Sequence, residues 1–377
     1  MELQGNIISG NVSGFGKITT AGNVIEKIDF SGNIHTGADW IIPGFIDTHI
    51  HGLGDGEAIG EGIRKMAEFA PSVGMTGIVP TLATSPAELK IQYLETIRQN
   101  ISENTGARIL GSHLEGPFLD VVHSGGMDRR QLRNPDPAEA EAWIEAARGT
   151  LKIVTIAPEL PGAGKVIKLL KDNNICVSLG HTGLSAESLP DAIDCGVSRV
   201  CHLFDAYSGR DVDGGVSQTA LTDAVLIDDR LTIELICDGF HVPEGLVRLA
   251  VRAAGVNRIV AISDAMCGTG KPDGIYAELD GRLYKLENAG VCRLLDPPYN
   301  ITGSCLTMNR AFSNLVHKFG FSPIEASLMT SANPARSIGS GDKYGTLAAG
   351  YTADMVILKS DLMTVKDTFI DGKSVLN

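Results

Sequence analysis

The chain has 377 residues, 43% hydrophobic and 20% charged, with 44 glycines; this excludes disordered and fibrous architectures and allows a large core. A formal charge of −13 with no Lys/Arg-rich run excludes phosphate-backbone recognition, so no nucleic acid is expected as a partner. No apolar run reaches the roughly 18 residues of a membrane helix and Met1 to Gly10 has no basic leader, so no membrane partner is expected and the cytoplasm is the expected compartment.

Residues 1–42 hold short alternating stretches broken by turn residues, such as Ile7-Ile8-Ser9-Gly10-Asn11-Val12 and Val24-Ile25-Glu26-Lys27-Ile28, and read as β. From 43 to 343 a different unit recurs: a short apolar run, a polar residue at its C-terminal end, then a helical stretch. Eight runs end in this way, at His49, Thr81, Glu115, Pro158, His181, His202, Asp238 and Asp264. Runs such as Ile259-Val260-Ala261-Ile262 are apolar throughout, as parallel strands buried on both faces must be. Helices are predicted over Pro86 to Asn100, Pro137 to Arg148 and Val242 to Ala254. No Gly-x-Gly-x-x-Gly turn opens the first unit, which favours a closed barrel over an open doubly wound sheet. Residues 344–377 return to β, with Ala353 to Leu358 and a hairpin at Asp371-Gly372. The expected class is α/β: a (β/α)8 TIM barrel flanked by a small β-sandwich built from the two terminal segments.

Chemistry gathers at the strand ends. His49-Ile50-His51 closes the first strand, and alternate residues put both imidazoles on one side. Glu115 ends the third strand, where a carboxylate among apolar residues needs a cation or an arginine. His181 and His202 end the fifth and sixth. Each histidine alone is more often a satisfied core or turn residue, but four with a glutamate on the strand ends of one barrel point to a divalent metal. Zinc is the first choice, as one or two ions, with Fe, Mn, Co or Ni as alternatives. Asp264 ends the eighth strand and is the candidate catalytic acid/base, a helix N-cap being its plain alternative. Seven cysteines, none in a Cys-x-x-Cys pair, suggest reduced and mostly buried thiols. Cys201, Cys237 and Cys267 lie within three residues of these motifs.

At these residues the chain resembles the amidohydrolase superfamily, and within it the N-acetylglucosamine-6-phosphate deacetylase family. The likeness spans Pro43 to Gly52, His113-Leu114-Glu115-Gly116-Pro117-Phe118, Gly180-His181-Thr182, His202-Leu203-Phe204, Asp238 to Val242, Ser263-Asp264-Ala265-Met266, Gly303 to Met308 and Asn333 to Arg336. The resemblance implies that Glu115, His181 and His202 hold one metal and that His49 and His51 complete it or hold a second. It also implies that Asp264 passes a proton to the departing amine, that His241 contacts a sugar phosphate, that Leu306 joins the substrate wall, and that the enzyme is a homodimer acting on a small molecule.

The chain departs from that family at three places. A histidine near the acetyl group is replaced by Met127, with His123 the nearest substitute. The Asn-Ala pair that helps bind phosphate is Asp205-Ala206. A family arginine falls on Asp213, and Arg210 is the nearest replacement. These changes remove a cation and add acids where the family binds phosphate. Deacetylation of an N-acetyl amino sugar is therefore the first expectation, with the phosphate in question. Another amidohydrolase reaction on a small unphosphorylated amide, cyclic amide or amine comes second, and a non-catalytic binding barrel, which would lose its ligand set, comes last.

Overall fold

In the computed structural model, which describes residues 1–102, 106–287, 291–297 and 299–376, eight parallel strands form a nearly closed barrel. They are Phe45–Ile50, Met75–Leu82, Ser112–Glu115, Leu151–Ile156, Cys176–Leu179, Val197–Val200, Thr232–Ile236 and Ile259–Ile262. Neighbours in the chain are neighbours in the sheet. The seam between the last and first strands is drawn together by the Asp264 N–H, which donates to the His49 carbonyl at 2.9 Å.

The strands are apolar because both of their faces are covered, the inner by opposing strands and the outer by helices. Ile259–Ile262 is buried throughout. The helix Glu244–Ala254 turns Val247, Ala250, Val251 and Ala254 inward, a spacing of three and four that keeps one face on the barrel. Pro137–Ala147 starts where the Asp136 carboxylate accepts from the Ala138 N–H at 2.9 Å, and it ends at Arg148, whose φ of 47° stops the helix.

The two termini interleave in one seven-stranded sheet. Glu2–Ser9 pairs in parallel with Trp40–Pro43, which pairs antiparallel with Met355–Leu358. Ile7, Ile18, Ile41, Met355 and Phe369 form its own core, while Trp40, Ile42 and Val356 join the barrel core. Arg108 fastens the two units, its Nε 2.9 Å from Asp354 Oδ2.

One element is not anticipated by the sequence reading. Between the last barrel strand and its helix, Met308–Ser313, a four-stranded antiparallel sheet spans Gly274–Ala277, Leu283–Leu286, Val291–Leu294 and Ile301–Ser304. Tyr284, Leu286, Cys292 and Leu294 make its small core. The insertion roofs the C-terminal mouth of the barrel.

Candidate active site

The strand ends bring His49, His51, Glu115, His181, His202 and Asp264 together. His181 and Asp264 both leave their strands in the left-handed region, at φ 47° and 52°, the kind of strained backbone that is concentrated at functional sites.

The arrangement has two halves that share Glu115. Its Oε1 lies 3.2 Å from His181 Nε2 and 3.0 Å from His202 Nε2, and those two nitrogens are 3.2 Å apart. Its Oε2 lies 3.4 Å from His49 Nε2 and 3.2 Å from His51 Nε2. Asp264 Oδ1 adds contacts of 3.5 and 3.1 Å to the same two rings. His49, Glu115, Cys201 and His202 form one cluster compact enough to hold an ion, and His49, His51 and Asp264 form another. Cys201 Sγ is 3.5 Å from Glu115 Oε1.

The far side of three rings fixes their tautomers. His49 Nδ1 meets Glu234 Oε2 at 3.0 Å, His51 Nδ1 meets the Thr81 carbonyl at 3.0 Å, and His181 Nδ1 meets the His123 carbonyl at 2.9 Å. Each partner can only accept, so each Nδ1 carries a proton and each Nε2 is the nitrogen left to bind a metal at the centre. Lone pairs and carboxylate oxygens converging at such distances need a positive charge between them. His49 Nε2 and Glu115 Oε2 are buried without a hydrogen-bond partner, which fits a metal-binding donor set.

The charges agree. Although burial opposes it, the imidazoles of His49, His181 and His202 hold Glu115 well below the usual carboxylate range. Against the same opposition, His49 and His51 lower Asp264, while Glu115, Glu234 and Asp264 raise His49 well above its ordinary value. Without a metal His49, His51 and His202 store protons, and a divalent cation supplies the same compensation.

Sequence reasoning missed Glu234 and Arg199. Glu234 orients His49 and is held by Arg199 Nε at 2.7 Å, both side chains fully buried. Despite burial, Arg199 and His49 keep the Glu234 carboxyl far below its usual range. A glutamate inside the apolar run Ile233 to Ile236 was the available signal.

A solvent-open cleft of about 870 Å³ leads onto this centre, floored by His51, Glu115, His181, His202 and Asp264. Met127 and Asp205 line it, but the other predicted substrate residues do not. His123 is spent on Asp120 Oδ2 at 2.5 Å and Ser208 Oγ at 3.0 Å, and serves His181 through its carbonyl. Arg210 reaches out to Asp223 at 2.7 Å. Leu306 is buried with its N–H on Ser304 Oγ, and Thr302 and Gly303 take the wall instead. Ala206 lies behind Asp205, at φ 61°. His241 is pinned by Nδ1 to Asp238 Oδ2 at 2.6 Å. Of the cysteines, Cys267 lines the cleft, and Cys237 Sγ contacts the Leu235 carbonyl at 3.5 Å.

Residues 40–375 match the model of the amidohydrolase family. A Bacillus subtilis (strain 168) N-acetylglucosamine-6-phosphate deacetylase is 33% identical over 355 residues, covering 92% of this chain and 87% of the relative. An Escherichia coli O157:H7 N-acetylgalactosamine-6-phosphate deacetylase is 32% identical over 340 residues, covering 89% and 88%. Among solved structures, an aspartate-to-alanine mutant of the Mycobacterium smegmatis N-acetyl-D-glucosamine-6-phosphate deacetylase, in complex with N-acetyl-D-glucosamine-6-phosphate, superposes with a TM-score of 0.90 at 30% identity, covering 100% of this chain and 99% of that one.

Proposed function

The chain belongs to the amidohydrolase family, and from that premise we propose that it is a deacetylase of N-acetyl amino sugars working with zinc. It is a metal-dependent hydrolase of carbon–nitrogen bonds other than peptide bonds. The observation that carries the finer reading is the convergence of four imidazole Nε2 atoms on the two oxygens of Glu115.

Glu115 Oε1, His181 and His202 would hold one ion, and Glu115 Oε2, His49, His51 and Asp264 a second. Bound there, the metal supplies Lewis-acid polarisation of an amide carbonyl and activates water at neutral pH. Asp264, kept ionised by His49 and His51 at the cleft floor, takes the proton of the attacking water and delivers it to the departing amine nitrogen. Glu234 and Arg199 keep the His49 ring in register. Ile301, Thr302 and Gly303 of the inserted sheet form part of the cleft wall above that floor. Catalysis belongs to the barrel, 43–343, with 1–42 and 344–377 in support. Family resemblance alone supports a cytoplasmic homodimer.

Metal analysis coupled to acetate release from N-acetyl amino sugars tests this reading. Zinc-loaded protein should hydrolyse at least one of them, and metal-free protein with full activity overturns it. A second reading, hydrolysis of a different small amide, draws on Met127, which stands in the cleft without a hydrogen-bond donor for a carbonyl.

A further inference from the structure

We propose that Asp120, His123 and Ser208 form a second catalytic group, separate from the metal-binding floor, whose serine is acylated by small uncharged carboxylic esters.

None of the three lines the cleft, although the chain reaches its wall shortly after His123, at Gly125, and shortly before Ser208, at Asp205. His123 Nδ1 lies 2.5 Å from Asp120 Oδ2, and its Nε2 lies 3.0 Å from Ser208 Oγ. A carboxylate can only accept, so Asp120 fixes a proton on Nδ1. In the neutral ring Nε2 is then the acceptor, and the Ser208 hydroxyl donates to it. That is the one hydrogen bond Ser208 Oγ makes among the described residues. A hydroxyl, the imidazole that can take its proton and the carboxylate that orients the imidazole thus stand in sequence, the relation that turns an ordinary serine into a nucleophile.

The end of the fifth barrel strand holds all three from behind. The Asp120 N–H donates to the His181 carbonyl at 2.9 Å, the His123 carbonyl accepts from His181 Nδ1 at 2.9 Å, and Tyr207, next to Ser208, bridges to Thr182. Gly183 leaves room for the ring, since a Cβ there would stand 3.0 Å from His123 Cε1. The three side chains are half-buried and open to solvent, and Val121 and Val122, between the carboxylate and the imidazole in the chain, are exposed. An open rim with apolar residues beside the base suits an uncharged ester, whose alcohol leaves with less help than an amine. Ser208 Oγ attacks the ester carbonyl carbon as its proton passes to His123 Nε2. The bond to the alcohol oxygen breaks and the alcohol leaves with that proton. Water, deprotonated by Nε2, then cleaves the Ser208 ester, releasing the acid and returning the proton to Oγ.

Two probes test this on the zinc-loaded enzyme: p-nitrophenyl acetate, quenched in acid, and a fluorophosphonate, whose serine adduct water does not readily remove. Peptide mass spectrometry should find both groups on Ser208, and neither at that peptide in Ser208→Ala. Asp120→Asn keeps the shape but frees the ring to take the other tautomer, and labelling of Ser208 should slow by about 10²–10⁴-fold. A merely structural chain of hydrogen bonds would leave Ser208 as unreactive as any surface serine. Wild-type protein with neither probe on Ser208, or labelling at an unchanged rate in Asp120→Asn, overturns the inference. Acetate release from N-acetyl amino sugars judges the deacetylase reading separately.

Discussion

His49 sits between two carboxylates, its Nδ1 on Glu234 Oε2 at 3.0 Å and its Nε2 facing Glu115 Oε2 at 3.4 Å. The first contact fixes the proton that leaves the second nitrogen free to bind. Glu234→Gln removes the charge but keeps the shape, and metal affinity should fall about 10–100-fold. Competition with a zinc chelator measures this, and unchanged affinity would show that Glu234 merely balances Arg199.

Asp264→Asn should lower kcat by about 10²–10⁴-fold, because an amide cannot accept the proton that the carboxylate takes. Binding of an unhydrolysed amide should persist. Full turnover in the variant would reassign the acid/base role.

Two donor sets share Glu115, so a metal titration of ion-free protein should saturate at about two ions per chain, and at about one in His181→Ala. Binding should also release protons. Although burial opposes it, Asp264 and Glu115 push His51 up to about 9, so at neutral pH its ring holds a proton that the metal must displace. Affinity therefore weakens as pH falls below that value. Calorimetry in buffers of different ionisation enthalpy reads the released protons, and buffer-independent heat would contradict the prediction.

Away from the site, Lys90 is fully buried with Nζ 2.6 Å from the Ser85 carbonyl, and burial pushes its pKa down to about 7. Its ordinary value is 10.5. Between the two values the unfolded chain holds a proton that the folded chain has lost, so stability rises with pH there, by at most about 1.4 kcal/mol per unit. Below the lower value both states are charged and the destabilisation is complete. Lys90→Met should therefore exceed the wild type in stability most clearly below pH 7, with the difference closing at higher pH. Urea unfolding across that range tests the slope.

The barrel was legible because each strand is a closed apolar run with its polar residue at one end, and the topology forces those ends together. His49, His51, Glu115, His181, His202 and Asp264 could be gathered from the sequence for that reason. Glu234 and Arg199 could not: each reads as a lone charge inside a strand, and their pairing exists only once the sixth and seventh strands lie side by side. The inserted sheet was hidden because alternation at Leu283-Tyr284-Lys285-Leu286 falls within a stretch assigned to the barrel. Arg210 and Leu306 were assigned to the substrate by motif, whereas the loop path turns their side chains to Asp223 and the core; His241, assigned in the same way, gives Nδ1 to Asp238 and keeps a buried Nε2 without a hydrogen-bond partner.

The described strands of the roof over the cleft all lie between Gly274 and Ser304, after the last barrel strand in the chain, and Ser304 bridges back to Ala265. The roof is fastened across the opening by Arg282 on the Gly126 carbonyl and Asn300 on the Gly125 carbonyl, each at 2.8 Å. None of the floor donors lies within it. The roof thus supplies one part of the cleft wall and none of the floor donors, so an exchange of this stretch would alter that part of the wall while the machinery beneath it is inherited unchanged.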